Sequence, residues 1–156
     1  MRSIEGDLIA LAKAGEFDVI AHGCNCMHVM AAGLAAQVRR HFPEAYAADL
    51  ATPYEDRTKL GTCSFAEVER EGGRLIVVNA YTQFQPSTGA PGNVDVDYAA
   101  VRGCMQWLKS SFGGRRIGLP QIGAGLAGGD WERISGIIAE ALAGEDVTIV
   151  KFGGAK

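Results

Sequence analysis

Side chains able to bind a metal or act as nucleophiles alternate along one short segment of the sequence. They are His22, Cys24, Cys26 and His28. Two imidazoles and two thiols could ligate zinc. However, along an extended chain, ligands two residues apart lie about 6.6 Å from each other, which is too far for one tetrahedral ion. We therefore interpret Cys24 and Cys26 as small packing residues, with a zinc site and a reactive thiol as the alternatives.

The polar residues of this segment could also do acid–base chemistry. His22 follows the apolar run FDVIA, so it either fixes the loop by a hydrogen bond or is a catalytic group. His28 lies within the loop, where it would meet ligand or solvent. Asn25 has both a donor and an acceptor, which suits a sugar diol as well as a turn. Further along the chain, Asp130 could cap a helix or orient a water molecule.

Two glycine-containing segments, residues 23–33 and 123–129, each follow a predicted strand and precede a predicted helix. Loops of this kind point backbone N–H groups and a helix N-terminus at an anion. Neither segment matches the GxGxxG or Walker A pattern. The sequence therefore predicts a phosphate-bearing ligand without specifying which one.

Composition limits the class of protein. The 156 residues, 47% hydrophobic and 21% charged, predict one globular domain over residues 1–156. The formal charge of −3 gives no support to nonspecific nucleic-acid binding. Because no secretory or membrane-spanning segment is visible, we expect a cytoplasmic protein with four reduced cysteines and no membrane partner.

The elements that position these residues follow from apolar periodicity. We predict a strand at residues 17–21, a helix at residues 31–42 that ends before Pro43, and a central hairpin around Gly72. Strands and helices alternate elsewhere. This pattern predicts an α/β fold, a three-layer α/β/α sandwich with a mixed central sheet. Ligands bind such sheets at the carboxyl ends of the strands.

Four segments, in this order, resemble motifs of one family. GDLIALA resembles the first-strand motif whose aspartate binds adenine in macrodomains. AHGCNCMHVMAAGLA resembles the macrodomain loop that holds the distal ribose, and IGLPQIGAGLAGGDW resembles the loop that wraps the pyrophosphate. VTIVKF resembles the terminal strand beside the adenine site. Because these motifs span nearly the whole chain, the sequence is identified as a member of the macrodomain family.

The resemblance implies that the protein binds ADP-ribose or a derivative, with no cofactor and no metal. Asp7 and Leu8 would hold adenine, and Asn25, Ala32 and Gly33 would hold the distal ribose. Phe152, at the end of the last strand, is placed either to stack on the ligand or to pack in the core. The backbone amides that would hold the phosphates belong to Gly123, Ala124, Gly125, Leu126 and Ala127.

Within the family, the motifs are most similar to proteins that process ADP-ribose 1″-phosphate in phages and bacteria. The resemblance implies metal-independent hydrolysis of that compound to ADP-ribose and phosphate. Asn25 would position the ribose, His22 or His28 would act as acid or nucleophile, and Asp130 would orient water.

Two alternatives stay open: removal of ADP-ribose from a modified protein or nucleic acid, and non-enzymatic binding of ADP-ribose. Some ADP-ribosyl hydrolases of the family use a lysine nucleophile in the middle loop. Here that loop, NAYTQFQ, has no lysine, and Ala127 stands where those relatives have aspartate.

Overall fold

The apolar runs of the sequence form the central strands, as expected for a sheet that is covered on both faces. A computed structural model describes residues 1–152, and its six strands lie in the order β1-β6-β5-β2-β4-β3. The strands are β1 Arg2–Gly6, β2 Val19–Cys24, β3 Cys63–Arg70, β4 Gly73–Tyr81, β5 Arg116–Leu119 and β6 Asp146–Phe152. Neighbouring strands are parallel, except that β3 pairs antiparallel with β4. The predicted hairpin and mixed sheet are confirmed.

Helices cover both faces of this sheet. They are α1 Leu8–Lys13, α2 Gly33–His41, α3 Pro43–Leu50, α4 Tyr98–Phe112 and α5 Trp131–Ala141, with a short 3₁₀ helix at Arg57–Lys59. One apolar cluster joins the sheet to α4 and α5, and a second cluster joins the opposite face to α1, α2 and α3. The three-layer α/β/α arrangement predicted from the sequence is therefore confirmed.

The strand predicted at residues 17–21 is displaced in the structure. β2 begins at Val19 and continues to Cys24, so that His22 lies inside the strand rather than after it. The sequence prediction ended at the polar residue, but the imidazole is accommodated there because His22 pairs in register with Asn79 of β4. The helix predicted at residues 31–42 is the shorter α2, and Pro43 begins α3.

Parallel pairing brings the carboxyl ends of five strands to one edge of the sheet. The loops that leave this edge include residues 25–32 after β2, residues 82–97 after β4 and residues 120–130 after β5. The resulting edge, built from three loops and the ends of β1 and β6, is where a ligand is expected. Across residues 1–152, every helix is too short or too polar to cross a membrane.

Candidate functional site

A cleft runs along the carboxyl edge of the sheet and consists of two adjoining cavities of about 520 and 360 Å³. The loops after β2, β4 and β5 line the larger cavity, which we call the polar end. The ends of β1 and β6 line the smaller cavity, which we call the apolar end. Both cavities are lined by Gly33, Leu34, Pro120, Gln121, Gly125 and Phe152. These shared residues make the two cavities one continuous site.

The apolar end combines hydrophobic walls with one carboxylate. Leu8 and Val150 are buried, whereas the ring of Phe152 is 59% exposed beside the cavity. Asp7 also lines it and caps α1, accepting hydrogen bonds through Oδ1 from the N–H groups of Ile9 and Ala10 at 3.0 and 3.1 Å. A flat ring with a polar donor at its edge suits such a slot.

The loop after β5 presents backbone N–H groups to the cleft. Of the five amides predicted to bind phosphate, that of Ala124 donates to the carbonyl of Gln121 at 3.2 Å and is therefore used within the loop. Within residues 1–152 the remaining four amides have no protein acceptor. They belong to Gly123, Gly125, Leu126 and Ala127. All four residues line the polar end, so a ligand can supply the missing acceptors.

Two glycines of this loop serve different purposes. Gly123 has a φ of +76°, and a Cβ atom there would lie 2.7 Å from the side chain of Val96, so the turn itself requires glycine. Gly125 has no positive φ, and no atom lies within 4 Å of the position its Cβ would take. Since Gly125 lines both cavities, its open side is a place where a ligand can approach the backbone.

The N-terminus of α2 borders the same cleft and has no cap. Ala32 occupies the N-cap position, and no side chain among residues 1–152 accepts from the first N–H groups of this helix. These groups belong to residues 33–35, which line the polar end. An uncapped helix start carries a partial positive charge and free donors, so it favours an anion.

Asn25 is buried at the polar end and organises the loop after β2. Its Oδ1 accepts from the N–H groups of Met27 and Val29 at 2.9 and 3.3 Å, and its Nδ2 donates to the carbonyl of Val29 at 2.8 Å. The turn function considered for this asparagine is therefore real. One Nδ2 hydrogen is left over, so Asn25 can still donate to a ligand.

His22 also lines the polar end, with only 2% of its surface exposed. Its Nε2 lies 2.8 Å from Oδ1 of Asn79, whose Nδ2 donates to the carbonyl of Ala45. Because that arrangement makes Oδ1 the acceptor, Nε2 of His22 carries the hydrogen and Nδ1 does not. Burial lowers the pKa of His22, so the imidazole is neutral at pH 7.

The other two residues predicted to be catalytic are not among the residues that line the two cavities. The backbone of His28 is left-handed, with a φ of 58°, and its Nε2 lies 2.9 Å from the carbonyl of Thr52, outside the residues that line the cleft. Asp130 caps α5, accepting from the N–H of Glu132 at 3.0 Å, and is also not a lining residue. Helix capping, the alternative considered for Asp130, is confirmed.

The cysteines of the motif pack as predicted. Cys24 and Cys26 are buried in a small cluster with Met30 and Tyr81, and burial raises the pKa of the Cys24 thiol. The interpretation of these residues as packing groups is therefore confirmed. Among the residues that the structure describes, no three His, Cys, Asp or Glu side chains are grouped as metal ligands.

The loop after β4 also contributes to the cleft, which the sequence motifs did not predict. Gln83, Pro86 and Ser87 line the polar end. The hairpin motif predicted β4 but did not reveal that β4 also lies parallel to β2. That pairing places the loop at the carboxyl edge. The apolar sequence of β4 could have indicated this pairing, because an apolar strand lies inside a sheet with a neighbouring strand on each side.

Solved structures of other proteins share this fold. The macrodomain of Thermus aquaticus DarG matches with a TM-score of 0.74 and 22% identity over 98% of this chain and 97% of that one. Thermosipho africanus DarTG, solved in complex with ADP-ribose, matches with a TM-score of 0.75 and 17% identity over 99% of this chain and 42% of that one. The chain therefore has the macrodomain fold, as the motifs indicated.

Sequence comparison finds a similar protein that a phage encodes. The chain is 37% identical, over 158 aligned positions, to the 17.5 kDa protein of the tk-vs intergenic region of Enterobacteria phage T4, with 97% of this chain and 96% of that protein aligned. The chain belongs to the same family as this T4 protein. No protein-family model matches the chain.

Proposed function

We propose that the protein binds ADP-ribose in the cleft, with the diphosphate between α2 and the loop after β5. The observation that carries the proposal is the convergence of two sets of unpartnered N–H groups on one cavity, those of residues 33–35 and those of residues 123–127 other than Ala124. None of the described residues that line the cleft is lysine or arginine. Backbone dipoles would therefore hold the anion.

The two ends of the cleft suit the two ends of the same ligand. At the apolar end, Phe152 can stack on adenine, and Asp7 can accept from its exocyclic amine. At the polar end, Asn25 can donate to the distal ribose, near Ala32 and Gly33. The complex of Thermosipho africanus DarTG with ADP-ribose, in a chain with the same fold, supports this class of ligand.

Hydrolysis of ADP-ribose 1″-phosphate is a second candidate function, and His22 is the residue that favours it. The hydrogen bond to Asn79 leaves Nδ1 of the neutral imidazole without a hydrogen, 3.7 Å from Sγ of Cys24. This nitrogen can take a proton from a water that attacks the phosphorus, while the bond between phosphorus and the C1″ oxygen breaks and ADP-ribose leaves with that oxygen, which solvent protonates. His28 and Asp130, which we expected to share this chemistry, lie outside the cleft residues. In this proposal His22 is the base and Asn25 positions the distal ribose.

Calorimetric titration with ADP-ribose, ADP and AMP tests the binding proposal. We expect one site that prefers ADP-ribose, and a loss of at least about tenfold from ADP to AMP, because AMP lacks the second phosphate that the amides would bind. Equal affinity for ADP and AMP, or no binding of any of the three, would rule the proposed site out.

Catalysis is tested separately by following phosphate release from ADP-ribose 1″-phosphate with a chelator present. Turnover that is lost in the variant His22→Gln, while ADP-ribose still binds, would support His22 as the base. Binding without turnover would leave a non-enzymatic ADP-ribose binder. Release of ADP-ribose from a modified protein or nucleic acid would instead indicate an ADP-ribosyl hydrolase.

A further inference from the structure

Gln83 lies at the polar end of the cleft, in the loop after β4, which is the middle loop that lacks a lysine. Its backbone N–H donates to the carbonyl of Cys24, and an isolated bridge pairs it with Val96. The carbonyl of Phe84 in turn accepts from the N–H of Cys26 at 2.8 Å. These contacts hold Gln83 beside the segment that carries Asn25, so both amide side chains belong to the same end of the cleft.

The side-chain amide of Gln83 has a fixed orientation. Its Nε2 donates to the carbonyl of Gln85 and to Oγ of Ser87, both at 2.9 Å. Because a carbonyl oxygen only accepts, the atom facing Gln85 must be the nitrogen. Both hydrogens of Nε2 are then used, and Oε1 has no protein donor within residues 1–152. The half-buried side chain of Gln83 is therefore held in place by two hydrogen bonds, and its Oε1 is free to accept from a ligand.

Asn25, in contrast, has a free donor and no free acceptor. Two backbone N–H groups already occupy its Oδ1, whereas one hydrogen of its Nδ2 has no partner among the described hydrogen bonds. The two amides together offer one donor and one acceptor, with no formal charge. A hydroxyl group is the ligand group that uses both, because it accepts from one partner and donates to the other.

We infer that Gln83 is a positioning and specificity residue that accepts a hydrogen bond from a hydroxyl of the distal ribose, with Asn25 as the complementary donor. This inference rests on the proposed binding of ADP-ribose. It identifies the polar end as a site for a neutral sugar, whereas the diphosphate is bound by the backbone amides. ADP, which has no distal ribose, gains nothing from Gln83.

The test is calorimetric titration of the wild-type chain and of the variant Gln83→Met with ADP-ribose and with ADP. Methionine keeps the length of the side chain and removes the acceptor. We expect the Kd for ADP-ribose to rise about five- to tenfold, as for the loss of one neutral hydrogen bond. The Kd for ADP should stay unchanged, which also shows that the variant is folded.

The variant Ser87→Ala separates the acceptor from its support, because it removes one hydrogen bond to Nε2 and leaves Oε1 in place. A smaller loss of ADP-ribose affinity than in Gln83→Met supports the inference. An unchanged Kd for ADP-ribose in Gln83→Met, or an equal loss for ADP, would overturn it. If the wild-type chain binds neither ADP-ribose nor ADP, the proposed function itself fails. That result differs from the two outcomes that would overturn only the role of Gln83.

Discussion

Two helices begin at the same edge of the sheet, and their first N–H groups are treated differently. The N-cap residue of α5 is Asp130, whose carboxylate accepts from the N–H of Glu132 at 3.0 Å. The N-cap residue of α2 is Ala32, and no side chain of the described residues caps this helix. A missing cap costs about 0.5–2 kcal/mol of stability. Under the proposed function, the uncapped start of α2, which borders the cleft, is where the diphosphate binds.

The largest effect is expected when α2 is given the carboxylate that α5 has. The variant Ala32→Asp places a negative charge where the diphosphate would bind, so the Kd for ADP-ribose should rise about 100-fold by calorimetry. The backbone of Ala32 is extended, with a φ of −142°, but Gly33 after it is left-handed, with a φ of 57°. The first residue of α2 therefore departs from helical geometry, and no gain in stability is expected from the new carboxylate.

The matched control is Ala32→Ser, which adds a polar side chain at the same position without adding a charge. We expect this variant to lose less ADP-ribose affinity than Ala32→Asp. If both variants bind ADP-ribose as tightly as the wild type, the start of α2 is not the anion site.

The next effect concerns the second set of amides. Gly125 has open space where a side chain would be, so Gly125→Val should fold normally and fill the cleft. We expect at least a tenfold rise in the Kd for ADP-ribose, because the ligand could no longer reach the backbone.

Gly136 of α5 provides the control, since it also has nothing within 4 Å of its Cβ position and is not a cleft residue. The variant Gly136→Val should leave the Kd unchanged. Full affinity in Gly125→Val would place the ligand elsewhere.

Removing the cap of α5 should lower the stability of the protein and leave its affinity for ADP-ribose unchanged, unlike a change at the start of α2. The variant Asp130→Ala loses the hydrogen bond to Glu132, so urea unfolding should show a loss of about 0.5–2 kcal/mol. ADP-ribose affinity should stay within about twofold of the wild type. A large loss of affinity or turnover would instead indicate that Asp130 acts in the site, where the sequence analysis expected it to orient water.

The smallest effect concerns pH, and it separates the helix start from a rival explanation, a cationic His22 that attracts the anion. Because burial lowers the pKa of His22 below its ordinary 6.5, the imidazole is neutral over the range in which the protein would be assayed. ADP-ribose affinity should therefore change by less than about twofold between about pH 6.5 and 8. A steady gain in affinity as the pH falls over this range would support the rival explanation.

The same pKa shift has a consequence for stability. Below pH 6.5 the unfolded chain protonates His22 more readily than the folded chain does, so the free energy of unfolding should fall as the pH drops from 6.5 toward the lower folded pKa. The variant His22→Gln should lack this component in urea unfolding measured across the same range.

The sequence predicted most of the fold because apolar periodicity and turn residues are local signals. Pro43, Gly72 and Asp130 each marked an element boundary that the structure has. The end of β2 was misplaced because the burial of His22 depends on Asn79, which is 57 residues away. No local pattern shows such a partner.

The candidate site was predicted unevenly for a related reason. The backbone loops were found because glycine spacing is visible in the sequence, and Asp7, Gly33 and Gly125 do line the cleft. The side chains were harder to place. His28 turns toward Thr52, and Gln83 enters from a loop that only the pairing of β4 with β2 brings to the cleft. Side-chain direction and strand order both depend on tertiary contacts.

A crystal structure of the chain with bound ADP-ribose would show whether backbone amides hold the diphosphate. We predict that the diphosphate oxygens lie about 2.7–3.2 Å from backbone nitrogens of residues 33–35 and of residues 123–127 other than Ala124. The distal ribose should face Asn25 and Gln83. A diphosphate bound to side chains outside the cleft, or a ligand on another face of the sheet, would contradict the account.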